Sequence, residues 1–214
     1  MSQNRLFEIG VDWGQKQDNS AVCLVELYAT KAVVKLLVKY DLGSGYPHIA
    51  ETLRELYYNV CKEGTVQHFN SDATGVGTEP TRMLQELIPD ARIDFFIFTN
   101  KSKRELVGKV KVMHSLGRLK FAKKSGDEMY NRTLQDLITE MKQLQMRVIK
   151  GEDSNPEIEV FKTGAHDDLF TALALAVKDV NISKGADVPV GLVEDKTWIR
   201  TPLTEEPSRE ISFF

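Results

Sequence analysis

Leu6-Phe7-Glu8-Ile9-Gly10-Val11-Asp12-Trp13-Gly14 is an apolar, extended stretch that presents a carboxylate and then turns on glycine. Ile9, Val11 and Trp13 crowd Asp12, and an ionised carboxylate in such company is costly unless something positive stands beside it. A divalent cation meets that need. An Asp at a strand end also serves as a turn former, because its side chain hydrogen-bonds backbone groups two residues on. Two further acidic positions bear on the choice.

Outward from this stretch, Ala21–Tyr28 and Ala32–Tyr40 are rich in β-branched residues, so the three runs are expected to form an antiparallel meander with Asp12 on its first strand. Pro47 opens a helix carrying Ile49, Leu53, Leu56, Tyr57 and Val60 at three- and four-residue spacing, with Gly64 as its expected stop. Val66–Asp72 reads as a strand ending on a second carboxylate, followed by Ala73-Thr74-Gly75-Val76-Gly77, so the opening pattern recurs. A helix from Glu79-Pro80-Thr81 to Ile88, a strand over 93–98, a helix from Asn100 closed by Gly117 and a short extended piece at 119–121 come next. Helical spacing continues from Glu128 to Met146, and 147–150 with 157–161 read as an exposed β-hairpin around a long polar turn.

The last strong element opens at Gly164-Ala165-His166-Asp167-Asp168 and runs through Leu169, Ala172, Leu173, Ala176 and Val177 as an alanine-rich helix suited to close packing on a sheet. Beyond Ile182, glycines and prolines are scattered among charges without period. The expectation is a domain over 1–182 and a C-terminal tail over 183–214, flexible or partner-binding.

A chain of 214 residues is long enough for one large core. A net charge of −3 excludes a globally basic surface but leaves room for local basic patches. Cys23 and Cys61 have neither zinc-site spacing nor disulfide density, and both are expected to be buried and reduced. No apolar run approaches the roughly 20 residues of a membrane span, and Met1–Arg5 has no signal-peptide character, which points to a soluble intracellular protein.

The Asp167-Asp168 pair has its own local explanation, since Asp in a first helical turn is favoured by capping and by the helix dipole. The order of elements argues for more. A meander carrying Asp12, a strand ending in Asp72 and a helix opening on Asp167-Asp168 let carboxylates converge at one sheet edge.

At this point the sequence resembles the ribonuclease H-like nucleases, and more narrowly the nuclease domain of the large terminase subunit of tailed double-stranded DNA viruses. The residues that carry the resemblance are Ile9-Gly10-Val11-Asp12-Trp13-Gly14 with Asp18 and Ser20-Ala21-Val22, then Asp72-Ala73-Thr74-Gly75-Val76-Gly77. The Lys101–Leu106 stretch leading to Gly117-Arg118-Leu119 comes after them, and then His166-Asp167-Asp168-Leu169 with Ala172-Leu173-Ala174. The resemblance implies an α/β fold, a ribonuclease H-like mixed sheet of antiparallel meander plus parallel strands flanked by helices, with an added β-hairpin. It also implies a metal-dependent endonuclease that cuts concatemeric viral DNA during packaging, in the cytoplasm of an infected host cell. Asp12, Asp72 and Asp168 would then be catalytic and hold the metals, with Asp167 in support and Asp18 as an auxiliary ligand. Implied partners are double-stranded DNA, a terminase ATPase domain, a small terminase subunit and a portal protein. There is no GxxxxGK[ST] phosphate loop in the chain, so the translocating ATPase of a complete large terminase is not encoded here.

Carboxylate ligands select Mg²⁺ or Mn²⁺ over zinc, and two such ions about 4 Å apart serve an in-line phosphodiester hydrolysis. Lys101, Lys103, Arg104, Lys109 and Lys111 form a basic run, joined by Lys120, Lys123 and Lys124, that is either a phosphate-contacting surface or a solvated helix face. His166 reads as a helix-capping residue in preference to a ligand or proton carrier. Rival readings are a Holliday-junction resolvase or transposase-type nuclease, an actin-like sugar or acetate kinase, and a non-catalytic docking module.

Overall fold

The computed structural model describes residues 4–14, 18–121, 126–150, 156–162 and 166–181. Strand β1 (Arg5–Asp12) is covered on both faces, and its alternation sorts the molecule into two layers. Phe7, Ile9, Val11 and Trp13 point to one side, into a core with Ile49, Leu53, Phe69, Leu84 and Ile88. Glu8, Gly10 and Asp12 occupy the alternate positions, so their side of the strand is the one on which the polar chemistry lies.

Strand β2 (Ala21–Leu27) pairs antiparallel with β1, and β3 (Ala32–Lys39) pairs antiparallel with β2, which is the expected meander. Helix α1 (Tyr46–Cys61) starts with Pro47 in its first turn and leads into β4 (Gly64–Asp72), which lies parallel to β1. Next along the chain are a 3₁₀ turn at Gly75–Gly77, α2 (Thr78–Leu87), β5 (Ile93–Phe96), α3 (Asn100–Ser115) and β6 (Leu119–Phe121). The sheet order is β5-β4-β1-β2-β3-β6, with β5 parallel to β4 and β6 parallel to β3. Helix α4 (Glu128–Gln143) precedes the two-stranded sheet of β7 (Leu144–Lys150) and β8 (Pro156–Lys162), and α5 (Asp168–Ala176) comes last. The mixed α/β architecture is the expected one.

Helix α5 is apolar almost all round and lies in the second core with Cys23, Val25, Val34, Val110, Met113 and Leu137. It rests directly on β1. A Cβ added at Gly10 would stand 2.1 Å from the Ala172 carbonyl oxygen and 2.3 Å from the Ala176 nitrogen, so only glycine permits the approach.

Three local expectations are corrected. Gly64 does not cap α1, whose C-cap is Lys62; it begins β4, where a Cβ would lie 2.3 Å from the Arg5 carbonyl oxygen of the paired strand. The helix over 128–146 ends at Gln143, because Leu144 is already extended and pairs with Lys162 as the hairpin begins. Cys61 is exposed, on the outer face of α1, while Cys23 is buried as expected. The polar turn at 151–155, Lys123, Lys124 and the tail over 183–214 lie outside the described residues.

Candidate active site

Asp12 is the last residue of β1, and its neighbours Trp13 and Gly14 fix how it leaves the sheet. The Trp13 indole donates to Ser71 Oγ at 2.8 Å and stacks edge-on against Tyr46, whose hydroxyl donates to the Gly14 carbonyl at 2.9 Å. The Gly14 amide in turn donates to Ser20 Oγ at 3.0 Å. Gly14 has no room for a side chain, since a Cβ would meet the Asp18 carbonyl at 2.1 Å. The turn after Asp12 is therefore pinned from both sides.

Asp72 ends β4, beside β1, and its Oδ1 accepts from the Thr74 amide at 2.7 Å in a local turn. Its charge is coupled to that of Asp12. Burial, then the charges of Asp72, Asp168 and Asp167, raise the Asp12 carboxyl well above its ordinary range. Burial also raises Asp72, against the Thr74 hydrogen bonds that lower it. The interaction between the two carboxyls raises Asp12 and lowers Asp72.

Asp168 opens α5, and neither Asp of the pair serves as the local cap. Asp167 is the N-cap residue by position, but its side chain makes no capping bond. The orphan amide of Phe170 is taken instead by Glu140 of α4, whose Oε2 accepts from it at 2.9 Å. Both Asp side chains are thus available for other work. Asp167 Oδ2 pairs with Lys103 Nζ at 2.9 Å. Asp168 Oδ2 accepts from the Asn19 amide at 3.3 Å and lies 3.7 Å from Lys39 Nζ, which also meets Glu140 Oε1 at 3.3 Å. Burial raises the Asp168 carboxyl, with Lys39 opposing.

Asp18 arrives from the loop after β1. His166 Nδ1 is 3.3 Å from Asp18 Oδ1 and 3.9 Å from Asp168 Oδ2, and donor atoms of all three residues lie within 4.8 Å of one another. The Nδ1 atom is buried and makes no hydrogen bond within the described residues. His166 is therefore no helix cap, and it faces the carboxylates. Sequence spacing alone gave it no partner, because Asp18 is distant along the chain.

The donor set fits divalent cations: clustered carboxylates that crowd one another and a buried ring nitrogen with no hydrogen to meet. Asp12, Asp72, Asp167, Asp168 and Asp18 are brought to one end of the sheet, at the C-terminal ends of β1 and β4 and the start of α5. Lys101 is exposed and Arg104 half-buried on the same α3 that sends Lys103 to Asp167. Lys109 turns inward, where its ammonium donates to the Lys178 carbonyl and burial lowers its pKa. Lys39 and Glu140 carried no motif in the sequence; their role appears only once β3 and α4 are folded against α5.

No curated protein sequence matches the chain. Among solved structures, the large terminase nuclease of the thermophilic phage G20c with bound cobalt is similar at 18% identity and a TM-score of 0.57, covering 82% of this chain and 81% of that one. The large terminase nuclease domain of Thermus phage P74-26 is similar at 17% identity, a TM-score of 0.54 and 81% and 78% coverage. A manganese-soaked, inhibitor-bound human cytomegalovirus terminase nuclease domain is similar at 12% identity, a TM-score of 0.57 and 81% coverage of both chains. These likenesses establish a shared fold. Residues 9–179, from β1 to just past α5, match the terminase RNaseH-like domain, and the chain belongs to that family.

Proposed function

We propose that the chain is a metal-dependent endonuclease that cuts concatemeric double-stranded viral DNA during genome packaging. The observation that carries this reading is the meeting of Asp12, Asp72 and Asp168 with Asp18, Asp167 and His166 at one end of the sheet. Their crowding makes the metal-free site electrostatically unfavourable. Related terminase nucleases bound to magnesium, cobalt or zinc, or soaked in manganese, support a divalent cofactor.

Asp12, Asp72 and Asp168 would hold two Mg²⁺ or Mn²⁺ ions, with Asp18 and Asp167 as further carboxylates. When bound, such a pair supplies an acidified water and neutralises charge on the leaving oxygen. The chain's own groups do the rest. The Trp13–Ser71 and Tyr46–Gly14 bonds hold Asp12 against drift, and Glu140 and Lys39 hold the first turn of α5, so that Asp168 keeps its place. Lys101, Lys103 and Arg104 on α3 provide the positive charge that a DNA backbone needs beside an acidic centre. Lys109, expected beside them, is tied to the Lys178 carbonyl and its charge acts on Asp179 and Glu8. A terminase ATPase domain, a small terminase subunit and a portal protein are the partners of this reading. No helix among the described residues is long and apolar enough to cross a membrane.

Plasmid cutting in Mg²⁺ or Mn²⁺ tests it. Wild type should nick and linearise plasmid, chelator should stop it, and Asp12→Ala should lose more than the roughly hundredfold cost of removing an outer-sphere partner. Unchanged cutting by Asp12→Ala overturns the assignment, and preference for branched over linear duplex would redirect it to junction resolution.

A further inference from the structure

At the other end of α5 a second group of metal-type ligands meets. Glu8 is four residues before Asp12 on the same face of β1, about 13 Å away at strand rise. His68 and Asn70 share the corresponding face of β4, and Asp179 lies just beyond α5. His68 Nδ1 is 3.2 Å from the Glu8 carboxylate and 3.5 Å from Asp179 Oδ2, and donor atoms of the three lie within 4.8 Å of one another.

We propose that Glu8, His68 and Asp179 form a second divalent-cation site, separate from the carboxylates around Asp12, that takes zinc or a similar borderline transition metal and staples the chain after α5 to β1 and β4. Ligands on a common zinc, at about 2.0–2.1 Å each, stand about 3.4 Å apart in a tetrahedron, which the two distances from His68 match. One imidazole and two carboxylates favour Zn²⁺, Co²⁺ or Ni²⁺ over Mg²⁺.

An unsatisfied atom points to the same conclusion. Glu8 is 1% exposed; its Oε1 is hydrogen-bonded with His68 Nδ1 at 3.2 Å, and its Oε2, as near to that nitrogen, has no hydrogen-bond donor among the described residues. A carboxylate oxygen buried that deeply without a donor is costly unless a cation completes it. Asn70, fully buried, donates from Nδ2 to Asp179 Oδ2 at 3.0 Å and to the Leu175 carbonyl at 2.9 Å, which ties Asp179 to the end of α5 as an outer partner does. Lys178 pairs with Asp179 at 2.9 Å, so an incoming cation displaces an ammonium that reaches in from the surface. His68 and Asp179 are partly open to solvent, which gives an ion its way in.

The site does not depend on the nuclease reading, and the test separates the two. Zinc binding to the full chain is measured by calorimetry and by metal content after dialysis, in an Asp12→Asn/Asp168→Asn background that disables the first cluster. That background should keep one zinc per chain and gain thermal stability from it. Adding His68→Gln, or separately Glu8→Gln, to that background should weaken binding at least tenfold and abolish the gain, while the same substitution made alone in the wild-type chain leaves Mg²⁺-dependent behaviour at the first cluster unchanged. The Glu8→Gln arm stands if His68→Gln misfolds. No zinc in the background protein, or equal zinc with and without His68→Gln and Glu8→Gln, overturns the proposal.

Discussion

At the scale of single residues, burial acts first on the clustered carboxyls, and at Asp12 like charge adds to it. Asp12 is raised by burial and by three neighbouring carboxylates, so removing its charge should stabilise the metal-free fold while ending activity. Asp12→Asn in chelator at neutral pH is expected to melt about 2–4 °C above wild type, the shift that about 1 kcal/mol produces in a domain of this size. Added Mn²⁺ should raise the wild-type melting temperature and leave the variant nearly unmoved. Glu140 makes a complementary case. Glu140→Ala strands the buried Phe170 amide and frees Lys39, so stability should fall by about 1–3 kcal/mol in urea titration. Cutting should fall about 10- to 100-fold. Glu140→Gln keeps an acceptor for the amide and should recover most of the stability.

Between elements, the decisive contact is α5 on β1. Gly10→Ala drives a methyl group into the Ala172 and Ala176 backbone and should cost about 3 kcal/mol, read from the urea midpoint. The meander is clamped at its far end by Arg5, which meets Glu26 through Nε at 2.6 Å and through Nη2 at 2.9 Å, with Lys35 3.2 Å away. Burial pushes the Glu26 carboxyl up, but Arg5 and Lys35 outweigh it and hold it below the usual carboxylate range. With the folded pKa below the unfolded one, the folded state binds fewer protons. The stabilisation is therefore full above about pH 4.5 and disappears as pH falls through the lower, folded value. Glu26→Gln should be markedly destabilised at pH 7, and the gap to wild type should narrow as pH falls below the ordinary carboxylate range in thermal melts.

For the molecule as a whole, the sequence was most legible where one strand carried its own message. The order of β1, β4 and α5 and the acids at their ends could be read from apolar periodicity and turn residues. Contacts between distant segments could not. Glu8 sits in an apolar run like any tolerated strand Glu, and only the packing of β4 and the end of α5 gives it His68 and Asp179. Glu140 lies among other charges of α4, and its use as a borrowed cap depends on where α5 lands. Gly64 misled because a glycine after a helix suits a cap and a tight strand pairing alike, and only the approach of Arg5 distinguishes them.

The position of α5 at the end of the fold bears on how the chain is made. Asp168 comes 156 positions after Asp12, and the strands that hold Asp12 and Asp72 are translated long before the helix that completes the group. A polypeptide still leaving the ribosome thus carries separated acids and no assembled centre. The group of acids is complete only once α5 has been made and has packed onto β1.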